Sequence, residues 1–284
     1  MARRGQCGLA PASRLASIVL AGCLAVFSLA TTASDRAAPL AIGETFTIAS
    51  RALHETRRIN VYLPPGYTQP PTLRLPVLYM PDGGIAEDFL HVAGLVQVLV
   101  GNGTMRPFLL VGIENTERRR DLTGPTQSEA DKKIAPRVGG SAAFRAFIRD
   151  ELIPHVAARY RTTRERAIVG ESLAGLFVIE TLLREPGLFD TYIAFDPSLW
   201  WNDQRLLSDA GIALASQTKA ASLHLASSGE PELANLARAF TARLEAAAPR
   251  TLTWHYEPMP GESHATIYHP AALRAFPRAF APEQ

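Results

Sequence analysis

The stretch AIVGESLAGLFV, residues 167–178, sets one serine among small residues between two apolar runs. The first run predicts a buried strand and the second a helix. A sharp turn between them would expose the Ser172 hydroxyl above a sheet, and small flanking residues such as Gly170 avoid clashes there. Ala174 stands where the G-x-S-x-G pattern has its second glycine, which weakens the match. The stretch nevertheless indicates that Ser172 is a nucleophile.

The segments around this turn alternate between strand-like and helix-like patterns. Short, nearly continuous apolar runs at 75–80 and 107–114 are typical of strands that are covered on both faces. Residues 44–50 and 57–64 alternate apolar and polar side chains, which is typical of half-buried antiparallel strands. The sequence therefore predicts an α/β-hydrolase fold, with a mostly parallel central sheet, helices on both faces and an antiparallel N-terminal start.

Length and charge limit the possible classes of protein. The 284 residues carry a formal net charge of +2, from 29 basic and 27 acidic residues, without a long basic tract. This composition gives no support to nucleic-acid binding. An α/β fold of this size commonly forms one domain, so residues 34–284 are expected to be a single catalytic domain.

The N-terminus predicts export. Three arginines precede an apolar run at 15–29 that is too short to span a bilayer comfortably, so residues 1–33 resemble a signal peptide. The expected location is the periplasm or outside the cell, with no transmembrane span in the mature protein. Alternatively, LAGC at 20–23 resembles a lipobox, which would make Cys23 the site of a lipid anchor. Because Cys7 and Cys23 are the only cysteines, the mature domain is expected to contain no thiol.

A serine nucleophile needs a base and an orienting acid. Among seven histidines, His264 lies in the loop PGESHAT, after the last predicted strand and before the last helix, where this fold presents its base. For the acid, Glu230 and Glu232 both follow the strand SLHLASSG, and Glu232 is favoured over Glu230. Glu232 could instead be an ordinary acidic residue in a first helical turn. Glu262 is interpreted as a solvated loop residue.

Acyl transfer also needs backbone donors for the developing oxyanion. In this fold one donor is the amide after the nucleophile, which is that of Leu173. The second comes from the loop after the third strand, where YMPDGG at 79–84 favours the amide of Gly84. An ordinary turn at Asp82 and Gly83 is the simpler interpretation of that loop.

Taken together, these motifs resemble the esterase family of α/β-hydrolases that includes esterase D, the antigen 85 mycolyltransferases and the enterochelin (ferric siderophore) esterases. The resemblance runs, in the family's order, through VYLPPGY, LPVLYMPDGG, ELIPHVAARYRT, AIVGESLAGLF, FDPSLWWN and GESHAT. It implies a triad of Ser172, His264 and Glu232. It also implies an oxyanion hole formed by the amides of Gly84 and Leu173. Glu171 is a departure, since relatives often carry histidine or glutamine there.

Two segments, DPSLWWN and IENTERRRDLTGPT, look most like the siderophore-esterase branch. Trp200 and Trp201 are therefore expected to form an aromatic wall beside the serine, against the alternative of ordinary core packing. One of the arginines 118–120, with Arg120 as the candidate, is expected to meet an anionic substrate, against the alternative of a solvated loop.

These features predict a serine esterase that hydrolyses a small-molecule carboxylic ester, with a siderophore ester as the favoured substrate. No HExxH or comparable ligand motif is present in the sequence, so neither a metal nor another cofactor is expected. Three alternatives remain open: a generic acyl esterase, an acyltransferase, and a binding protein that keeps the hydrolase fold without its chemistry.

Overall fold

The computed structural model of the protein describes residues 37, 39–68 and 70–282. Within them, eight strands form one sheet in the order β1-β2-β4-β3-β5-β6-β7-β8. The strands are β1 Glu44–Ser50, β2 Glu55–Tyr62, β3 Leu75–Pro81, β4 Leu109–Ile113, β5 Thr162–Glu171, β6 Thr191–Phe195, β7 Ala221–Ser228 and β8 Leu252–Met259. The helices are α1 Phe89–Gly101, α2 Arg118–Asp121, α3 Glu129–Lys132, α4 Ser141–Phe147, α5 Ile153–Arg159, α6 Leu173–Arg184, α7 Trp201–Ala215, α8 Pro231–Ala247 and α9 Tyr268–Ala279, and a π-helical segment, Ile148–Leu152, joins α4 to α5.

The sheet confirms the predicted fold class. Strand β2 pairs antiparallel with both β1 and β4, and every other neighbouring pair is parallel. Because the parallel strands run in one direction, the loops that follow β3, β5, β6, β7 and β8 emerge at one edge of the sheet. In open α/β sheets this carboxyl edge is where ligands bind.

Helices cover both faces of the sheet, as the continuous apolar runs predicted. Since side chains alternate along a strand, Tyr79 points into one layer and Met80 into the other. The first layer contains Phe177 of α6, and the second contains Phe89 of α1 and Phe276 of α9. The two layers hold the central strands rigidly, so that the carboxyl-edge loops start from fixed points.

The described residues from Ala41 onward form one compact unit. The predicted signal peptide at 1–33, including Cys7 and Cys23, lies outside the described residues. In the part of the chain that the structure describes, no helix combines the length and apolar character needed to cross a bilayer.

Candidate active site

Ser172 occupies a strained turn between β5 and α6. Its φ is +60° and its ψ is −121°, a conformation that side-chain-bearing residues adopt only when the surrounding structure imposes it. The turn is fastened by the Ser172 N–H, which donates to Phe195 O at 3.0 Å, and by the Ser198 N–H, which donates to Ser172 O at 3.0 Å. A Cβ on Gly170 would lie 2.6 Å from the carbonyl carbon of Ala174, so only glycine fits there. The local sequence therefore builds the predicted nucleophile turn.

His264 meets Ser172 across 92 residues of chain. It lies in the loop between β8 and α9, and its Nε2 is 3.0 Å from the Ser172 Oγ. The Glu230 carboxylate accepts the His264 backbone N–H at 2.8 Å, which anchors the loop rather than the imidazole ring. The structure thus brings together the predicted hydroxyl and imidazole, and it gives the alternative acid, Glu230, a different contact.

The carboxylate at the other ring nitrogen belongs to Asp196, which corrects the predicted choice of Glu232. Asp196 directly follows β6, is fully buried, and places Oδ2 3.1 Å from His264 Nδ1. Its Oδ1 accepts the Ser228 N–H at 2.6 Å, which fixes the carboxylate plane. Glu232 lies exposed on the first turn of α8. Of the described residues, Asp196 and not Glu232 hydrogen-bonds to the ring.

Strand order explains this correction. Strand β6 is the immediate neighbour of β5, whereas β7, which precedes Glu232, lies one strand further from Ser172. Neighbouring strands are about 4.8 Å apart, so an acid after β6 starts closer to the serine. The signal available in the sequence was an aspartate directly after the apolar run TYIAF, at the same carboxyl edge as the serine.

Charges around the imidazole favour its protonated form. The hydrogen bond to Asp196, together with the negative charges of Glu171, Asp196 and Glu230, raises the pKa of His264, although partial burial opposes this shift. Burial raises the pKa of the Glu171 carboxyl to about 7. Because the ring is held between a hydroxyl and a carboxylate, it can take a proton from the hydroxyl and remain stabilised as an imidazolium.

The two predicted oxyanion donors differ in their availability. Leu173 is the first residue of α6, so its N–H is one of the helix's four unpaired donors, and no hydrogen bond engages it within the described residues. The Gly84 N–H, in contrast, donates to Glu87 Oε2 at 2.6 Å. Asn115 Nδ2 donates to the other carboxylate oxygen, Glu87 Oε1, at 2.9 Å. In this structure the predicted second donor is therefore occupied by a carboxylate of its own chain.

The tryptophans do not form the predicted wall as a pair. Trp201 is 5% exposed, and its Nε1 donates to the Gly124 carbonyl at 2.8 Å. Trp201 is therefore part of the hydrophobic core, which corrects its predicted assignment to substrate binding. Trp200 is half-buried and packs against the same core layer, with its ring centroid 6.0 Å from that of Trp201.

Arg120 is also corrected, because its guanidinium belongs to an internal ion-pair network. It pairs with Glu55 at 2.8 Å, with Asp121 at 2.6 Å and with Glu117 at 3.3 Å. Its neighbour Arg118 forms a bidentate pair with Asp82, which follows β3, at 2.7 and 2.8 Å.

A cavity of about 380 Å³ opens beside this network. Its lining combines four guanidinium groups with one carboxylate. The lining residues are Glu117, Arg118, Arg119, Arg120, Ala135, Pro136 and Arg137. Arg119 is exposed, and among the described residues it pairs with no carboxylate, donating only to the Ile134 carbonyl. The cavity is therefore a positively charged recess, and its Arg118 pairs with Asp82 directly after β3.

Comparison with known proteins assigns the chain to a family. The family model described as "Putative esterase" matches residues 50–268, which is well over half of the chain. The chain belongs to this family. It is therefore a carboxylic ester hydrolase on an α/β-hydrolase fold, and the site around Ser172 is the candidate active site of this esterase.

Individual relatives of the esterase differ in how much of their length is similar to this chain. A ferri-bacillibactin esterase of Bacillus subtilis is 29% identical over 258 residues, covering 81% of this chain and 87% of that protein. A siderophore triacetylfusarinine C esterase of Aspergillus fumigatus is 33% identical over 147 residues, covering 48% of each chain. An IroE-like serine hydrolase from Shewanella oneidensis superposes with a TM-score of 0.75 at 30% identity, covering 84% of this chain and 79% of the other.

Proposed function

We propose that this esterase cleaves its substrates through a covalent acyl-enzyme, with Ser172 as nucleophile, His264 as base and Asp196 as the orienting acid. The observation that carries this proposal is the 3.0 Å contact between Ser172 Oγ and His264 Nε2 at a strained strand-to-helix turn. The contact to Asp196 Oδ2 keeps the Nδ1 proton on its side of the ring, so that Nε2 is free to accept the serine proton.

The proposed reaction has two halves. Ser172 Oγ attacks the ester carbonyl carbon while His264 Nε2 takes the hydroxyl proton, and the tetrahedral intermediate then expels the alcohol, which receives that proton. A water molecule next attacks the acyl-enzyme, giving its proton to Nε2. The carboxylic acid is released and the proton returns to Ser172 Oγ. Each half stabilises a negative carbonyl oxygen, for which Leu173 supplies one backbone donor.

The second donor requires a side-chain movement. We propose that the Glu87 carboxylate rotates away from the Gly84 N–H when an ester carbonyl enters the site. Glu87 reaches back over three residues to this amide, across a turn before α1 that is closed by the Glu87 N–H donating to Gly84 O at 3.0 Å. Because its partner Asn115 comes from the loop after β4, the carboxylate retains an anchor when it leaves Gly84.

The proposed substrate is a siderophore ester. Two relatives are named for ferri-bacillibactin and for triacetylfusarinine C, and the first of them covers 81% of this chain. The positively charged recess lined by Arg118 adds support, because an anionic ferric complex would be attracted to the exposed guanidinium of Arg119. Arg119 replaces Arg120 as the candidate contact for an anionic substrate.

A hydrolysis assay tests this proposal. Mature enzyme is incubated with ferri-bacillibactin, ferric triacetylfusarinine C, both iron-free siderophores and p-nitrophenyl acetate, and Ser172→Ala measures background hydrolysis. We expect at least one siderophore to be cleaved with a kcat/KM well above that for p-nitrophenyl acetate. Arg119→Ala should raise the KM for an anionic ferric siderophore without changing that for p-nitrophenyl acetate. Cleavage of p-nitrophenyl acetate alone would contradict the siderophore proposal and leave the esterase assignment intact.

We also propose that the esterase is exported and acts in the periplasm or outside the cell. The support is the sequence pattern at 1–33. The intact mass of the processed protein tests this proposal, since release predicts a chain that starts near Thr31 or Ser34. A diacylglycerol group on Cys23 would instead identify an anchored lipoprotein, and an unprocessed N-terminus in the native host would contradict export.

A further inference from the structure

Two carboxyl groups converge on the same nitrogen of His264. Glu171 is the last residue of β5 and directly precedes Ser172. Its Oε1 lies 3.1 Å from His264 Nδ1, the same distance at which Asp196 Oδ2 approaches that atom. The proposed triad uses only Asp196, so the second carboxyl group requires its own explanation.

The single hydrogen on His264 Nδ1 donates to only one of these two carboxyl groups. The hydrogen-bond geometry joins it to Asp196. Glu171 Oε1 is buried, and within the described part of the chain it has no hydrogen-bond partner, although its side chain as a whole retains 16% exposure. Leaving a buried acceptor unsatisfied is unfavourable, so a glutamate kept in this position is expected to interact with His264 through charge.

Charged groups face Glu171 from four neighbouring elements. They are Asp82 after β3, Arg118 of α2, Asp196 after β6 and His264 after β8, and Glu230 faces the same imidazole from the start of α8. The Arg118 guanidinium is committed to its bidentate pair with Asp82. Among the described residues, a protonated His264 is the cation that lies 3.1 Å from both Glu171 and Asp196.

We propose that Glu171 is a positioning residue that sets the pH dependence of the esterase by stabilising the protonated ring of His264. This inference rests on the proposed serine-esterase mechanism. Glu171 exchanges no proton with the substrate: its charge acts through the ring. Burial raises the pKa of Glu171 to about 7, and the positive charge of His264 opposes this shift, so the two groups titrate as a coupled pair.

Two effects follow from this arrangement. An ionised Glu171 beside a protonated His264 is a favourable pair, so the ring keeps its proton to higher pH. The neutral imidazole that acts as the base therefore forms only at a higher pH. The same pair also stabilises the imidazolium that forms when Ser172 gives up its proton, which raises the rate once the base is available. Removing the charge of Glu171 should therefore move the acidic limb of the pH profile to lower pH and lower the plateau of the rate.

The decisive variant is Glu171→Gln, which keeps nearly the same shape and lacks the charge. The rate of labelling by a fluorophosphonate and the kcat/KM for p-nitrophenyl acetate are measured from about pH 5 to 9. We expect the acidic limb to move to lower pH by about 1 unit and the plateau to fall several-fold. Glu245→Gln, which removes an exposed charge on α8, should leave both unchanged. A lower plateau without movement of the limb would indicate a packing role and would overturn the proposal.

A measurement on the wild-type enzyme makes the test independent of the folding of the variant. Nitrogen NMR of the His264 ring should show two titration steps, because two coupled groups share the protons. A single step would overturn the proposal. If the wild-type enzyme is not labelled at all by the fluorophosphonate, the proposed serine mechanism fails. A labelled wild type whose acidic limb does not move in Glu171→Gln refutes only the role of Glu171.

Discussion

Replacing Asp196 by asparagine tests the corrected assignment of the acid. Asparagine retains an oxygen to accept the Ser228 N–H and tolerates the positive φ of +41° at this position. Its amide group, however, would place an N–H donor opposite His264 Nδ1. The imidazole would then carry its proton on Nε2, the nitrogen that must accept the serine proton.

The expected loss follows from the 3.1 Å separation between Asp196 Oδ2 and His264 Nδ1. Opposite unit charges at this distance attract by about 5 kcal/mol at an effective dielectric constant of about 20. At about 1.4 kcal/mol per factor of ten, this attraction corresponds to about 10³- to 10⁴-fold in rate. Glu171 can supply part of the lost charge, so a value near the lower end is expected above neutral pH.

The assay is the kcat/KM for p-nitrophenyl acetate at pH 8, with the midpoint of thermal unfolding as a check that Asp196→Asn still folds. Glu232→Gln is the matched comparison, because it removes an exposed carboxylate from the position that the sequence favoured. We expect this second variant to remain within about twofold of the wild type, as is usual for surface substitutions. Near wild-type activity in Asp196→Asn, combined with a large loss in Glu232→Gln, would refute the assignment.

Three further predictions concern the scaffold. The methyl group introduced by Gly170→Ala would lie 2.6 Å from the carbonyl carbon of Ala174, so the turn that carries Ser172 must shift. We expect fluorophosphonate labelling of Ser172 to slow about 100-fold. An unchanged labelling rate would contradict the steric requirement for glycine. Arg57 and Asp121 form an ion pair in which both side chains are at most 1% exposed. Urea titration of Asp121→Ala should therefore show that the free energy of unfolding falls by about 3–5 kcal/mol. A fall below about 1 kcal/mol would refute a stabilising role. Burial lowers the pKa of His224 to about 4, so protonation favours the unfolded chain. Stability present above about pH 6.5 should therefore fall by about 2 kcal/mol at pH 5, and His224→Leu should show a smaller fall in urea titrations.

The features that the sequence predicts correctly depend on local patterns. The apolar runs around Ser172 specify a strand, a turn and a helix, and the steric requirement for Gly170 lies within four residues of the contact that imposes it. The position of His264 follows from chain order, since the loop after the last strand emerges at the carboxyl edge of the sheet. The meeting of Ser172 and His264 could therefore be anticipated without any knowledge of side-chain contacts.

The features that the sequence does not predict depend on contacts between distant segments. The choice of Asp196 over Glu232 follows from the adjacency of β5 and β6, whereas the sequence-based expectation placed the acid after β7 and did not consider Asp196. Arg120 loses its expected role because Glu55, which is 65 residues away, pairs with it. The approach of Glu171 to His264 likewise depends on the path of a loop 93 positions later in the chain. The same limit applies to Trp201, since its hydrogen bond to Gly124 spans 77 residues.

Mass spectrometry of the enzyme after treatment with a fluorophosphonate tests the central claim most directly. The wild type should gain the mass of one phosphonyl group, and peptide mapping should place that group on Ser172. Ser172→Ala should gain no mass, and His264→Ala should react at least about 100-fold more slowly, because the serine would lack its base. An adduct on another residue, or equal labelling of Ser172→Ala, would contradict the assignment of this hydroxyl and imidazole as the reacting pair.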